Sequence, residues 1–165
     1  NKGSGIEISS GSLGHGPAIG VGIAHALKLK KTSGRVFVIV GDGESNEGSV
    51  WEAAMSASQL KLDNFYIIVD NNGMESLDRT DNIMSIEPID EKFHSFGFDV
   101  VRANGHDFKN IDSAFKSLPE DNFKPKCIIS DTVKAYGLSF TAGIAKWHYR
   151  SPDEDEYILG LKELS

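Results

Sequence analysis

Asp42 stands between two glycines in GDGESNEG, directly after the apolar run RVFVIV, and Asp70-Asn71-Asn72-Gly73 directly follows the apolar run FYIIV. A carboxylate and an amide oxygen are hard donors. They suit Mg2+, which demands octahedral geometry and usually shares its shell with phosphate oxygens. The backbone carbonyl of Met74, just past Asn72, is well placed to complete the protein's share. Glycine at positions 41 and 43 keeps side chains out of the way of a closely approaching diphosphate. Alone, Asp42 also reads as an ordinary turn residue, because D-G is a common turn signal. Its pairing with Asn72 across two strand ends favours the metal.

The two motifs meet only if their strands are neighbours, since ligands in an open α/β sheet bind at the carboxyl ends of the strands. The spacing predicts a first helix from near Pro17 through AIGVGIAHALKLKK, with proline in its first turn, lysines in its last and Gly34 as its stop. RVFVIV and NFYIIV read as fully buried strands. An amphipathic helix is expected over about 49–60, a loop from 73 to 88 and a short helix around 90–96. DVVRA follows as a strand, then a helix over about 109–118 capped by Asp107, and then the strand KCIISDTV. Ser151-Pro152-Asp153-Glu154 has the pattern of a capping box for a last helix. The alternation implies an α/β fold, doubly wound, with a mostly parallel sheet and helices on both faces. The expectation is a single domain over 1–165.

Bulk composition narrows the function. A chain of 165 residues with 39% hydrophobic and 25% charged residues suits one soluble core. No apolar run reaches the ~18 residues of a bilayer span, and NKGSGIEISS holds no leader-like stretch. A net charge of −7 argues against nucleic acid and anionic membrane as partners. A phosphate ligand must therefore be held locally. The single Cys127, in KCIIS, has no internal disulfide partner and reads as a buried small hydrophobe, which suits a reducing cytosol and a cytoplasmic location.

G-D-G at one strand end with N-N at the next resembles the thiamine diphosphate motif, and its surroundings resemble the transketolase family, especially forms split into two chains. The resemblance runs in consecutive blocks over nearly the whole chain: GSLGHGPAIGVGIAHAL, GDGESNEGSVWEAAMSASQLKLDNFYIIVDNNG, IMSIEPIDEKFHSFGFDVVRANGHD and KWHYRSPDEDEY. It implies Asp42 and Asn72 as Mg2+ ligands with the Met74 carbonyl, Ca2+ or Mn2+ being able to substitute. Gly43 is implied as a diphosphate contact, with Gly41 and Asn72 beside it. Gly11 and Leu13 match positions next to the aminopyrimidine ring. Glu47 and Glu52 match a glutamate pair in a proton relay between the two active sites of a dimer. His148 matches a histidine near the diphosphate and the reacting carbons.

Each of these residues also has a plainer reading. Glu47 can be a first-turn acid at a helix N-terminus; Glu52, a solvated helix residue; His148, a packing or interface histidine. His15, where transketolases commonly have glutamine, can donate to phosphate, touch substrate or brace the Gly-rich turn. His25 and His94 read as helix residues, and His106 belongs to the turn before Asp107. A dinucleotide site does not fit: Gly14-x-Gly16-x-x-x-Gly20 has one residue too many for G-x-G-x-x-G.

The resemblance implies transfer of a two-carbon ketol unit from a ketose to an aldose, with the cofactor's thiazolium carbanion attacking the ketose carbonyl. The family's pyrimidine-binding domain does not fit into this chain, and its upstream substrate-contacting histidines would lie before Asn1. The expectation is a chain inactive alone and completed by a C-terminal, pyrimidine-binding half, self-associating in an α2β2 arrangement. Sugars or sugar phosphates are the expected substrates. Tyr149-Arg150 and the loop MESLDRTDN depart from the family's usual wording, which points to a specialised sugar. Two rivals stand beside this reading. One is another thiamine diphosphate enzyme, such as a 2-oxo-acid dehydrogenase component or a deoxyxylulose-phosphate synthase; the other is a non-catalytic cofactor-binding module.

Overall fold

The computed structural model describes residues 5–165. In chain order the elements are α1 (His15–Leu29), β1 (Val36–Gly41), α2 (Gly48–Gln59), β2 (Phe65–Asn71), α3 (Thr80–Ile83), α4 (Ile89–Ser95), β3 (Asp99–Asn104), α5 (Phe108–Ser117), β4 (Lys126–Asp131) and α6 (Glu154–Glu163). Short 3-10 turns at Gly43–Asn46 and Ala145–His148 follow β1 and precede α6.

All four strands are parallel, in the order β1-β2-β4-β3. The chain steps in one direction from β1 through β2 to β3, then turns back to insert β4. Right-handed crossovers therefore force α5, on the returning connection, to the face opposite α2 and α4. Val40, Phe65, Ile67, Val69, Cys127 and Ile129 pack against α1, α2 and α4. The alternate residues Tyr66, Ile128 and Ala103 pack against Ala114 and Leu118. Helices thus lie on both faces of a parallel sheet, as expected.

β1 is not fully buried. It is an edge strand, and α5 packs on the second face chiefly over β3 and β4, reaching β1 through Phe115 against the Phe37 ring, so Phe37 and Ile39 remain 48% and 71% exposed. β2 matches its reading, buried on both faces over most of its length. Helix α1 sits close on the sheet. An ideal Cβ on Gly20 would stand 2.5 Å from Val38 Cγ2 and 2.8 Å from Phe65 Cε2, so only glycine permits this approach.

Several boundaries differ from the sequence reading. α1 begins two residues before Pro17 and ends before Gly34. Its stop is Lys31 at φ 53°, with Thr32 N–H on Leu27 O and Lys31 N–H on Lys28 O, a Schellman arrangement without glycine. The expected loop before Pro88 contains α3. Asp107 caps α5 through the amides of Lys109 and Asn110. The last capping box lies two residues beyond its expected place, pairing Asp153 with Glu156. Pro152 disfavours helix at Ser151, and Asp153 then supplies the cap.

Candidate functional site

The parallel register pairs Gly41 with Asp70, so the ends of β1 and β2 lie side by side. The Asp42 N–H donates to Asp70 O at 3.2 Å, extending the ladder by one bond. The chain then tightens into the Gly43–Asn46 turn with Asp42 as its cap. Asp42 Oδ1 accepts the Gly43 N–H at 2.9 Å, and Oδ2 crosses to the neighbouring strand end to accept the Gly73 N–H at 2.7 Å. The carboxylate is 1% exposed. Burial pushes its pKa above the usual 3.8, and the nearby Asp70 charge adds to the rise. The two amide hydrogen bonds oppose it.

Asn72 and Met74 belong to the turn that Asp42 reaches. Asn72 Oδ1 accepts the Met74 N–H at 3.0 Å, and Asn72 Nδ2 donates to Asp70 Oδ2 at 3.0 Å. The Thr132 hydroxyl donates to the other Asp70 oxygen. Asn71, the other amide of the motif, donates instead to Asp131, which also accepts from Arg102. Among the described residues, no donor reaches the Met74 carbonyl. Gly43 is hemmed in: an ideal Cβ there would stand 2.5 Å from Glu75 Cγ, and Glu75 Oε1 accepts from Asn46 Nδ2 at 3.2 Å. Among the described residues no cluster of three His, Cys, Asp or Glu side chains could hold a metal. A cation here therefore depends on amide, carbonyl and ligand oxygens as well as Asp42.

The Gly-rich segment before α1 meets the same loop. Gly14, at φ 77°, donates its N–H to Glu44 Oε1, and its carbonyl accepts from Ser49 Oγ. Gly11 and Leu13 are exposed, and His15 Nδ1 lies 3.2 Å from Leu13 O. Glu47 is the N-cap residue of α2 and makes no side-chain capping bond; its Cβ lies 2.7 Å from where a Gly14 Cβ would be. The structure thus brings Asp42, Gly43, Asn72 and Met74 together, with Gly41, Gly14 and Glu47 alongside. Glu52, exposed on α2, and His148, exposed in its 3-10 turn, make no hydrogen bond to this cluster. Open grooves of about 450 and 500 Å3, one beside β3 and one near Lys28, lie elsewhere.

Glu44, Asp70 and Thr132 shape the site without having been singled out in the sequence. Glu44 looks like any first-turn acid there, and Thr132 is joined to Asp70 only through the sheet.

The family described as "Transketolase, thiamine diphosphate binding domain" matches residues 1–163. The chain is 42% identical over 161 residues to a subunit of an apulose-4-phosphate transketolase from Phocaeicola vulgatus, covering 98% of this chain and 57% of that protein. It is 35% identical over 160 residues to a 6-deoxy-6-sulfo-D-fructose transketolase subunit of a Clostridium species, covering 97% and 58%. The chain thus spans little more than half the length of these relatives. The crystal structure of transketolase from Campylobacter jejuni superimposes with a TM-score of 0.80 at 33% identity, covering 86% of this chain and 23% of that one. With motif, fold and kinship in agreement, the chain belongs to the transketolase family and carries its thiamine diphosphate binding domain.

Proposed function

We propose that this chain is the diphosphate- and metal-holding half of a two-part transketolase, which moves a two-carbon ketol unit from a ketose to an aldose. The observation that carries the reading is the buried Asp42 carboxylate, which spans from the GDG turn to Gly73 on the adjacent strand end. A carboxylate so far out of water gains most from a neighbouring cation. The donors at hand are all oxygens, which suits Mg2+ and, in its place, Ca2+ or Mn2+. In this reading Asp42, the second lone pair of Asn72 Oδ1 and the Met74 carbonyl hold the ion. Gly41 and Gly43 leave the backbone bare beside the diphosphate. When bound, thiamine diphosphate supplies a stabilised carbanion and an electron sink.

The chain's own residues hold, orient and move protons around that group. Gly11 and Leu13 flank the aminopyrimidine ring. Glu47 and Glu52 belong to a proton relay toward a second active site. His148 serves near the diphosphate and the reacting carbons, and His15 steadies the Gly-rich turn through the Leu13 carbonyl. In this reading Gly11, Leu13, Glu47 and His148 form one wall of the site, and all four are exposed, Leu13 at 56%. The second wall is assigned to a C-terminal, pyrimidine-binding half on another chain, in a cytoplasmic α2β2 assembly. The word "subunit" in the relatives' names supports that division. The sugars in those names each carry an anionic group, phosphate or sulfonate, and the substrate proposed here is of that kind.

The test mixes the full-length chain, its pyrimidine-binding partner, Mg2+ and thiamine diphosphate with a ketose phosphate and an aldose. Mass spectrometry should find an aldose lengthened by two carbons only when both chains are present. Turnover by this chain alone, or use of 2-oxo acids with refusal of ketoses, overturns the proposal.

A further inference from the structure

Glu44 joins two segments that the metal reading treats separately. Its Oε1 accepts the Gly14 N–H at 2.9 Å and its Oε2 accepts the Gly41 N–H at 3.1 Å. Gly41 ends β1 and leads into Asp42, whereas Gly14 ends the Gly-rich segment that bears Gly11 and Leu13. Among the described residues, the hydrogen bonds that tie positions 10–14 to the rest of the domain are both made at Gly14: its N–H to Glu44 and its carbonyl to Ser49. The remaining bonds of the segment are local, Ser12 with Ser10 and His15 with Ser12 and Leu13.

Gly14 is suited to being gripped in this way. Its φ of 77° disfavours any side chain, and a Cβ there would overlap the Ser49 hydroxyl. A carboxylate near an anionic ligand is ordinarily unfavourable. Here both oxygens are engaged by amide N–H groups, in charge-assisted bonds stronger than neutral ones. Neither Gly11 nor Leu13 has an anchor of its own, so Glu44, together with Ser49 and the packed start of α1, sets their place relative to Asp42.

We propose that Glu44 is a positioning residue, which locks the ring-side Gly-rich segment to the diphosphate-side GDG turn so that one cofactor meets a single preorganised surface. This rests on the transketolase reading above. A ligand that spans both segments should depend on Glu44, and a ligand that occupies only the diphosphate side should not.

The test uses the full-length chain with its partner in saturating Mg2+. Thiamine diphosphate binding is measured by calorimetry, and inorganic pyrophosphate by competition against it, so that a weak ligand is still read. The fold of each variant is checked by circular dichroism and by Trp51 fluorescence, whose indole N–H donates to Ser45 O within the loop. Glu44→Ala should weaken thiamine diphosphate by about tenfold or more, the loss expected for one or two hydrogen bonds. Pyrophosphate affinity should change by less than about threefold, since it makes no use of the ring-side segment. Glu44→Gln, keeping one acceptor oxygen, should fall between, and it decides the matter if Glu44→Ala does not fold. Unchanged thiamine diphosphate affinity overturns the proposal. So does an equal loss for both ligands, which would make Glu44 a mere support of the GDG turn. If the wild-type assembly binds neither ligand, the transketolase reading fails before Glu44 is tested.

Discussion

Asp42 is costly to keep where it is. It is all but excluded from water, its carboxyl is pushed toward the protonated form, and Asp70 lies near enough to raise it further. Two amide hydrogen bonds recover part of that cost, and a bound cation would recover the rest. Asp42→Asn separates these effects, because it removes the charge while keeping volume and one acceptor oxygen. We expect its unfolding free energy to lie within about 2 kcal/mol of wild type, since a lost hydrogen bond and a relieved buried charge oppose each other. Calorimetric titration with and without EDTA should show Mg2+-dependent cofactor binding gone. If the variant holds thiamine diphosphate as tightly as wild type, Asp42 is no metal ligand.

Much of the element level could be read from the sequence because the strands and caps announce themselves locally. Continuous apolar runs placed β2 and β4, and Asp107 followed by a helical pattern placed the cap of α5. The meeting of G-D-G with N-N followed from one inference, that β1 and β2 are neighbours, and the register bears it out. What stayed hidden depends on distant partners. The exposure of Phe37 and Ile39 is decided by where α5 ends up, and Lys31 could replace glycine as a helix stop because two backbone bonds support it. The role of Glu44 needs Gly14 and Gly41 brought together, which no local pattern encodes.

Lys126 belongs to the same hidden class. It opens β4 fully buried, register-paired with Asp99 at the start of β3, and donates to Asp99 at 3.2 Å and to Lys124 O at 2.7 Å. Burial alone would raise the Asp99 pKa. Hydrogen bonds from Asn122 and Lys126 and the charges of Lys126 and Lys124 outweigh it and hold the carboxyl below its usual 3.8. A depressed carboxyl contributes stability that is present above the unfolded pKa of 3.8 and is lost as pH falls through the folded value. Asp99→Asn removes the charge facing the buried Lys126 ammonium, which keeps Asn122 Oδ1 and Lys124 O as acceptors. The substitution should cost about 1.5–3 kcal/mol near neutral pH, the range for hydrogen bonds to charged groups. In urea denaturation repeated at about pH 3 the gap from wild type should narrow, as wild type protonates too. A gap that does not change with pH would mean that the charge of Asp99 contributes nothing.

At the scale of the whole molecule, the parallel sheet sends the carboxyl ends of its strands to one side, and Asp42, Asp70, Asn72 and Thr132 all gather there. The other side carries the Lys126–Asp99 pair. Binding at the strand ends therefore tightens the connection between β1 and β2 and the Gly-rich entry to α1, all of which the unfolded chain lacks. A ligand that binds only the folded state at 100 times its Kd adds about 2.7 kcal/mol. For a domain of this size that is a rise in Tm of about 5–10 °C. Because Asp42 and the diphosphate share one ion in the proposed site, Mg2+ alone and thiamine diphosphate alone should each give only a small part of that rise. The two together should give nearly all of it, and EDTA should take it away. Differential scanning fluorimetry of the full-length chain, with and without its partner, reads this directly. Shifts that simply add would mean that cation and cofactor bind apart, and the clamp between the strand ends would then have no place in the function.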